Sequence, residues 1–290
     1  MRMVLLIITL MALHEFGFCQ VNTISGEVRD LQDNKKLSYV NIGIANKTVG
    51  TVSDINGQFK LELNEKVTSK DTILFSFIGY ETKKLLVSEF FNQKKTIFLD
   101  SKAMELDEVI VSSKIIKRKH REFGKSSKGM GLTHFNFYTS SEKDVDDRLS
   151  KELGMKFKIG RNCQIKDLNF NITSNDFKHL KFRVNIYRIE NDFPADLIVQ
   201  KNIVFEVNNN FVGWFNLDLE PFEIYLNEKD KEVAVTIQWL ESVKSSEKSK
   251  YFSISTAGSP INTAYFREKA MDSWNKSGQT LSFYLNALCE

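Results

Sequence analysis

The chain has 290 residues, and its 40 lysines and arginines nearly balance its 37 aspartates and glutamates, which gives a formal net charge of +3. This balance excludes a strong overall attraction to nucleic acid or to acidic substrates. The length exceeds that of an ordinary single domain, so we expect two hydrophobic cores.

Residues 1–19 are predicted to be an export signal. Arg2 supplies a positive charge, and residues 4–13 form an apolar run of about ten residues, which suits a signal peptide and is too short to span a bilayer. Small side chains at Gly17 and Cys19 predict cleavage directly after Cys19. The alternative is that Cys19 is a lipidated cysteine. The bulky Phe18 argues against this alternative, because a small residue is expected before such a cysteine. Export predicts a mature chain in the periplasm or at the cell surface, associated with the outer membrane.

Two cysteines remain after this cleavage, Cys163 and Cys289. An exported chain enters an oxidising compartment, where such a pair can form a disulfide. The sequence leaves two alternatives open, a Cys163–Cys289 disulfide and two buried thiols.

Residues 20–112 are predicted to form an all-β domain. Short runs rich in β-forming residues alternate with turn residues, which is typical of an antiparallel sandwich. The predicted strands are TISGEVRD, SYVNIGI, GTVS, GQFKLEL, TILFSFI, ETKKLLV, KTIFL and EVIV. Asn56-Gly57 predicts a tight hairpin turn, because such turns need residues that accept a positive φ. Asp54 lies beside this turn, but the residues after it lack the alternating ligands and the distal glutamate of a calcium loop.

Four motifs in this region are those of a known family. They are G-x-V-x-D at residues 26–30, S-D-x-N-G-x-F at 53–59, I-G-Y at 78–80 and L-x-E-V-x-V at 106–111. With these motifs the region resembles the carboxypeptidase-regulatory-like domain of exported Bacteroidetes-type proteins, and the resemblance implies a small transthyretin-like β-sandwich. It is also similar to the leading domain of many TonB-dependent outer-membrane receptors, where that domain precedes the plug. No plug or long run of barrel strands follows in these 290 residues, so we do not expect receptor activity.

The sequence lacks the catalytic pattern that the family name suggests. Zinc carboxypeptidases hold their metal with an H-x-x-E pair and a distant histidine, and no H-x-x-E occurs here. His120, His134 and His179 are scattered, and no G-x-S-x-G nucleophile elbow is present. We therefore expect a protein that is not an enzyme and has no catalytic residues, metal site or cofactor. A hydrolase with a dispersed active site stays an alternative, because carboxylates such as Asp144 and Asp147 need only meet in space.

Residues 113–139 include the most basic stretch of the chain and are predicted to be a solvated linker. The basic side chains at its centre are Lys117, Arg118, Lys119 and Arg121. Export and the lack of interleaved aromatic residues argue against nucleic-acid binding. The alternative is peripheral contact with an anionic membrane surface, where each basic residue contributes about 1 kcal/mol.

Residues 140–290 are predicted to form a second, jelly-roll-like β-sandwich. The predicted strands are FKI, QIKDLNFNIT, KFRVNIYRI, LIVQKNIVFEV, GWFNLDL, EIYL, EVAVTIQWL, YFSIST, TAYFR and TLSFYLNAL. The segment ahead of them, SEKDVDDRLSKELG, is predicted to be a short helix or an ordered loop. The region also resembles an uncharacterised C-terminal sandwich domain that follows the same regulatory-like module in exported Bacteroidetes proteins, and that resemblance implies no catalytic residues.

Aromatic residues of this second region are numerous enough to build a platform for sugar rings. Trp214 and Trp239 lie inside apolar runs and are predicted to pack in the core. Trp274 lies between polar neighbours and is predicted to be exposed. Together with Arg267 it would form the edge of a ligand-binding surface.

These features favour a non-catalytic binding or scaffolding protein of the cell envelope, with an envelope protein or a glycan as its partner and no nucleic acid. The alternative is a glycan-binding accessory protein of a TonB-dependent uptake system.

Overall fold

The computed structural model describes residues 23–90, 94–102, 118–128, 133–138, 148–258 and 264–290. These residues form β-strands joined by turns and short 3-10 segments, with no α-helix among them. In these ranges, no helix is long and apolar enough to cross a membrane. The predicted signal peptide, Lys117, Asp144, Asp147 and the motif at residues 106–111 lie outside the described residues.

The front of the chain forms a two-sheet sandwich. Its strands are β1 (Thr23–Asp30), β2 (Asn41–Ile44), β3 (Gly50–Val52), β4 (Gln58–Glu62), β5 (Thr72–Ser76), β6 (Lys83–Leu86) and β7 (Lys95–Leu99). One sheet has the order β4-β1-β7 and the other the order β3-β2-β5-β6. β1 and β7 run parallel, with Val28 opposite Ile97. The prediction of an antiparallel sandwich is therefore wrong for this pair of strands. The alternation of hydrophobic residues along a strand does not show in which direction the strand runs.

The first hydrophobic core lies between these two sheets. Along β1, buried residues alternate with half-exposed ones, as expected for a strand with one face on a core. Val28, Phe75 and Ile97 are at most 2% exposed. The rings of Phe59 and Phe75 pack edge to face with their centroids 5.5 Å apart, an arrangement that aromatic pairs prefer.

The S-D-x-N-G-x-F motif forms the corner between the two sheets. The buried Ser53 hydroxyl makes two hydrogen bonds to the backbone, of 2.9 and 2.8 Å. The Asp54 carboxylate accepts two backbone N–H groups, both at 2.8 Å, and Gly57 has a φ of 72° that glycine adopts without strain. The turn joins β3 of one sheet to β4 of the other, so the predicted hairpin is wrong. The motif residues bind the backbone of their own turn.

The second part of the chain forms a larger sandwich. Its strands are β8 (Lys119–Gly124), β9 (His134–Asn136), β10 (Glu152–Lys158), β11 (Cys163–Asn175), β12 (Phe177–Glu190), β13 (Phe193–Leu197), β14 (Ile203–Asn208), β15 (Gly213–Asp218), β16 (Ile224–Leu226), β17 (Glu232–Lys244), β18 (Phe252–Gly258), β19 (Ala264–Arg267), β20 (Asn275–Ser277), β21 (Gln279–Leu281) and β22 (Phe283–Cys289).

These strands make two sheets, which we name by their central strands. The β12 sheet has the order β13-β12-β17-β10-β19-β20, and β14 also pairs with β12. The β11 sheet has the order β21-β18-β11-β22-β8, and β15 and β16 also pair with β11, and β9 with β18. Neighbouring strands in both sheets are antiparallel.

The second core is rich in aromatic rings. Trp239 of β17 is fully buried, as predicted. It packs edge to face on Phe177 and Phe182 of β12, with centroid distances of 5.3 and 5.4 Å. In the β11 sheet, Phe170 and Phe283 stack at 5.8 Å. Residues on either side of these inward positions point to the outer faces of the sandwich, because side chains alternate along a strand.

The predicted linker, residues 113–139, contains two strands of this sandwich. β8 pairs with the C-terminal strand β22, with Lys119 opposite Cys289, and β9 pairs with β18. The prediction of a solvated linker failed because β8 is an edge strand with mostly exposed, polar side chains, and such edges are commonly charged. The segment SEKDVDDRLSKELG, predicted to be a short helix or an ordered loop, is residues 141–154. Its last three residues belong to strand β10, which begins at Glu152.

The first sandwich packs against the outer face of the β12 sheet. Arg183 of β12 is 1% exposed and donates from Nη2 to the Tyr39 carbonyl oxygen at 2.7 Å. Gln238 of β17 donates to the Asn41 side chain at 2.9 Å, and the Tyr39 hydroxyl donates to Glu241 at 2.7 Å. Buried polar groups are favourable only when paired in this way.

Close packing accompanies these hydrogen bonds. Tyr39 and Val52 of the first sandwich form one buried cluster with Leu240 of the second. At Gly43 the backbones approach so closely that a Cβ atom would lie 2.2 Å from the Ala270 carbonyl oxygen. The two domains are therefore packed together, and the first sandwich covers part of the outer face of the β12 sheet.

Candidate functional site

The structure brings together the two residues of the predicted ligand surface, Trp274 and Arg267. The Arg267 guanidinium lies 4.6 Å from the centre of the Trp274 ring, in a cation–π contact. Arg267 is only 8% exposed, and its Nε and Nη2 atoms donate to Glu152 at 2.9 and 2.6 Å. Trp274 is half-buried. Arg267 already has a buried partner, and a ligand-binding role for the pair stays a prediction.

Glu152, the centre of this cluster, is fully buried and richly hydrogen-bonded. Besides Arg267, it accepts hydrogen bonds from Asn185 at 2.8 Å, from Tyr187 at 2.9 Å and from the Thr236 hydroxyl. Burial raises the pKa of Tyr187, and the charge of Glu152 adds to that rise. Burial opposes the charge on Arg267, but Glu152 outweighs it, so that the pKa of Arg267 is raised. The cluster therefore acts as an internal brace between β10, β12, β17 and β19.

The other predicted site residues lie in the β11 sheet or next to it. Cys163 of β11 and Cys289 of β22 face each other and are joined by a disulfide, with their Cα atoms 4.1 Å apart. Arg118, Lys119 and Arg121 are exposed at edge strand β8. Contact of these basic residues with a membrane surface stays a prediction.

The outer face of the β11 sheet carries aromatic, amide and carboxylate side chains. They point outward because their neighbours, such as Leu168 and Phe170, face the core. We call this surface the aromatic–amide face; its residues are Asp167, Asn169, Asn171, Trp214, Asn216, Asp218, Tyr225, Tyr284, Asn286 and Glu122. The first sandwich lies against the opposite sheet, so that its described residues leave this face uncovered.

Two rings of this face meet above its central strand. Trp214 of β15 lies opposite Asn171 of β11, and Tyr284 of β22 lies opposite Asn169. The two outer strands are about 10 Å apart, yet the ring centroids are 5.3 Å apart and edge to face. Asn169 and Asn171 point outward but are only 4% and 3% exposed. The two rings therefore cover the two amides.

Trp214 differs from its predicted place in the core. It is half-buried and occupies an outward position of β15, whereas Phe215 next to it packs against the core. The prediction was wrong because an apolar run does not show which of its alternate residues face outward.

The two covered amides differ in their hydrogen bonds. The Asn169 oxygen accepts from Asn216 at 2.8 Å, and the Asn169 nitrogen donates to Asp167, which also accepts from Asn286 at 2.9 Å. The Asn171 amide nitrogen is buried without a hydrogen-bond partner among the described residues. Leaving a buried polar group unpaired costs about 1–3 kcal/mol. Asn171 therefore offers a donor that the described part of the chain does not use.

The polar part of this face is acidic. Asp167, Asp218 and Glu122 all occupy outward positions. Burial raises the pKa of Tyr284, and the nearby charges of Glu122 and Asp167 raise it further, so the hydroxyl stays a donor. Lys166, in the β-bulge of β11, is paired with Glu220 at 3.2 Å.

A third aromatic residue stands at the far end of the face. Tyr225 of β16 is 61% exposed and lies opposite Gln164 of β11. Its neighbours Ile224 and Leu226 are buried, so Tyr225 points outward. From Gln164 to Asn171, β11 advances roughly 20 Å. Aromatic rings therefore mark both ends of a polar strip of that length.

Two surface cavities share no residue with this face. One, of about 480 Å³, is lined by residues that include Lys158, Arg188 and Lys229. The other, of about 440 Å³, is lined by residues that include His134 and Lys151. Within the described ranges, no group of three or more histidine, cysteine, aspartate or glutamate residues is placed to hold a metal ion.

Sequence reasoning missed the aromatic–amide face, although its signal was present. In GWFNLD and in DLNFN, polar or aromatic residues alternate with core residues, and this period of two identifies an outward set. What the sequence could not show is which of the two sheets keeps an open outer face, because that depends on where the first sandwich docks.

Comparison with known proteins identifies the first sandwich. Residues 24–111 match the model of the CarboxypepD_reg-like domain. No curated protein matches the chain. Among solved structures, a structure of infectious bursal disease virus, Gt strain, is 10% identical with a TM-score of 0.25, over 92% of this chain and 64% of that chain. A mutant VP2 protein of the same virus is 10% identical with a TM-score of 0.24, over 92% of this chain and 61% of that chain.

Both TM-scores are below 0.5, and the chain spans less than two thirds of either viral chain. The matched residues include the two-sheet sandwich of β1 to β7, apart from the first residue of β1. Residues 24–111 therefore belong to the carboxypeptidase-regulatory-like family of non-catalytic β-sandwich domains.

Proposed function

We propose that this chain is an exported, non-catalytic binding protein of the cell envelope, and that the aromatic–amide face is its binding surface. The observation that carries the proposal is the pair of rings, Trp214 and Tyr284, which meet over Asn171, whose amide nitrogen has no hydrogen-bond partner among the described residues. Aromatic rings beside a few placed polar groups are typical of binding sites.

The packing of the two domains supports a division of roles. The first sandwich lies on the β12 sheet, where Arg183 and Tyr39 join the domains through a buried hydrogen bond. Its motif residues Ser53 and Asp54 bind their own backbone. The regulatory-like domain thus packs on the β12 sheet and has a structural role. The second sandwich presents the binding surface on its β11 sheet.

The most unusual ionisable cluster also fits a structural role. Glu152 is fully buried, and Arg267, Asn185, Tyr187 and Thr236 all donate to it. A general acid or base must reach a substrate proton, and the hydrogen bonds to Glu152 come from within the fold. This supports binding rather than catalysis as the task of the second sandwich.

Binding to isolated envelope material tests the proposal. We expect the mature chain to sediment with the envelope fraction and Trp214→Ala to lose most of that binding. Trp274→Ala is a matched control, since it removes a second half-buried tryptophan from the opposite side of the sandwich. Thermal melting of each variant checks that the fold persists. Equal binding by the wild type and Trp214→Ala would contradict the proposal.

A further inference from the structure

We propose that the aromatic–amide face takes an extended, neutral glycan chain. This inference rests on the proposed function and names the chemical class of its ligand. Four observations carry it: the aromatic rings, the planar amides between them, the length of the strip and its charge.

The first observation is the pairing of rings with planar polar groups. A pyranose ring has a face of C–H bonds that packs on an aromatic ring, while its hydroxyls pair with planar amides and carboxylates. Trp214 and Tyr284 provide the rings, and Asn216 and Asn286 flank them on the same face. These two amides also donate to Asn169 and Asp167, which fixes their orientation.

The second observation is the unpaired amide of Asn171. The side chain is 3% exposed, and its nitrogen has no hydrogen-bond partner among the described residues. It lies below the contact between Trp214 and Tyr284. If the Trp214 and Tyr284 rings move apart, a sugar hydroxyl can reach this nitrogen and accept the hydrogen bond that no described residue accepts.

The third observation is the length of the polar strip. Tyr225 is 61% exposed at one end, and Trp214 stands roughly 20 Å away along β11 at the other. A single sugar could contact only one of these rings. A chain of several linked sugars could lie on both, which makes an oligosaccharide the better fit.

The fourth observation is the charge of the face. Asp167, Asp218 and Glu122 line it, and they would repel a sulfated, phosphorylated or carboxylated glycan. A protein partner is also a poorer fit, since the centre of such an interface is usually depleted in charged residues. A neutral glycan meets neither obstacle and can use the carboxylates as acceptors for its hydroxyls.

The test measures binding of the full mature chain to neutral and to anionic oligosaccharides of matched length, from disaccharides to octasaccharides, by calorimetry after an array screen. We expect neutral chains to bind with an affinity that rises with length, and anionic chains not to bind. Trp214→Ala and Tyr225→Ala should each weaken binding roughly tenfold or more, whereas Trp274→Ala should leave it unchanged. Tyr225 is so exposed that its replacement tests the site even if Trp214→Ala does not fold.

Asn171→Ala gives an independent readout. The change should weaken glycan binding without lowering the melting temperature, because the lost nitrogen has no hydrogen-bond partner in the described ranges. Preferential binding of anionic chains, or equal binding of neutral chains by wild type and Tyr225→Ala, would overturn the inference.

The two proposals fail separately. If Trp214→Ala abolishes envelope binding while the array shows no neutral glycan, or if protease treatment of the envelope removes the binding, the face has a different ligand and the glycan inference is overturned. If Trp214→Ala binds the envelope as the wild type does, the proposed function itself is overturned.

Discussion

Tyr80 donates a 2.8 Å hydrogen bond from its hydroxyl to a carboxylate oxygen of Asp30. Asp30 ends the G-x-V-x-D motif and Tyr80 ends the I-G-Y motif, so the residues that identify the first domain contact each other. Asp30 also accepts the N–H groups of Gln32 and Asp33. The last residues of these two motifs therefore form one structural contact, which joins the end of β1 to the turn after β5.

This contact predicts a loss of stability at both ends of the pH scale. Hydrogen bonds from Tyr80 and from two backbone N–H groups lower the pKa of Asp30 below its usual 3.8, so its stabilising effect is complete above that value and is lost as the pH falls through the lowered one. Burial and Asp30 raise the pKa of Tyr80 from 10.0 to about 12. The effect of Tyr80 is therefore complete below pH 10 and is lost as the pH rises through about 12.

Urea denaturation of wild type and Tyr80→Phe across the pH range checks this prediction. The difference in unfolding free energy should be constant near neutral pH and should shrink both in strong acid and above pH 10. A difference that stays constant up to pH 12 would show that Tyr80 does not hold its proton through Asp30.

The buried Arg183 predicts coupled unfolding of the two domains. Arg183→Met would remove its hydrogen bonds to the Tyr39 carbonyl and to the buried Gln238 side chain, at about 1–3 kcal/mol for each buried acceptor left unpaired. We expect calorimetry to show two separate transitions in place of a merged one. Arg188→Met is the matched control, because Arg188 lies on the same strand with its side chain 49% exposed. Identical calorimetric traces for the two variants would contradict the packing of the first sandwich on the β12 sheet.

The pair of Glu152 and Arg267 predicts strong non-additivity. Removing one partner, in Glu152→Leu or Arg267→Met, leaves a buried group uncompensated and should cost about 3–5 kcal/mol. The double variant should lose less than the sum, since neither buried charge remains. A double-mutant cycle by chemical denaturation measures the difference. Additive losses would mean that Arg267 is not held by Glu152 and is free for a ligand.

The disulfide between β11 and β22 is predicted to stabilise the second sandwich. Its cysteines are 126 residues apart in sequence, and closing so long a loop in the unfolded chain stabilises the fold by about 2–5 kcal/mol. Peptide mapping of the mature protein without reductant should recover the Cys163–Cys289 pair. The Cys163→Ser, Cys289→Ser variant should melt at a lower temperature. Recovery of two free thiols would contradict the Cys163–Cys289 disulfide.

The strands and the first domain could be predicted largely from the sequence. TISGEVRD and KTIFL coincide with β1 and β7, because strict alternation and β-forming residues dominate there. Strand β8 was missed, since an exposed edge strand has the composition of a linker. Trp214 was misplaced because its outward position depends on register, and register is set by strand pairing rather than by local composition.

The candidate site was harder to predict for a related reason. Trp274 has polar neighbours and suggested an exposed site, but its ring packs on Arg267, which the distant Glu152 holds in place. Trp214 and Tyr284 are 70 residues apart in the sequence, so no local sequence pattern predicts the contact between their rings. What makes a surface available here is the docking of the other domain.

Oxidative footprinting of the mature protein, with and without solubilised envelope glycans, would show directly whether the aromatic–amide face binds them. We expect the ligand to protect Trp214, Tyr225 and Tyr284 from modification and to leave Trp274 as reactive as before. Protection confined to Trp274, or to the first sandwich, would contradict this expectation.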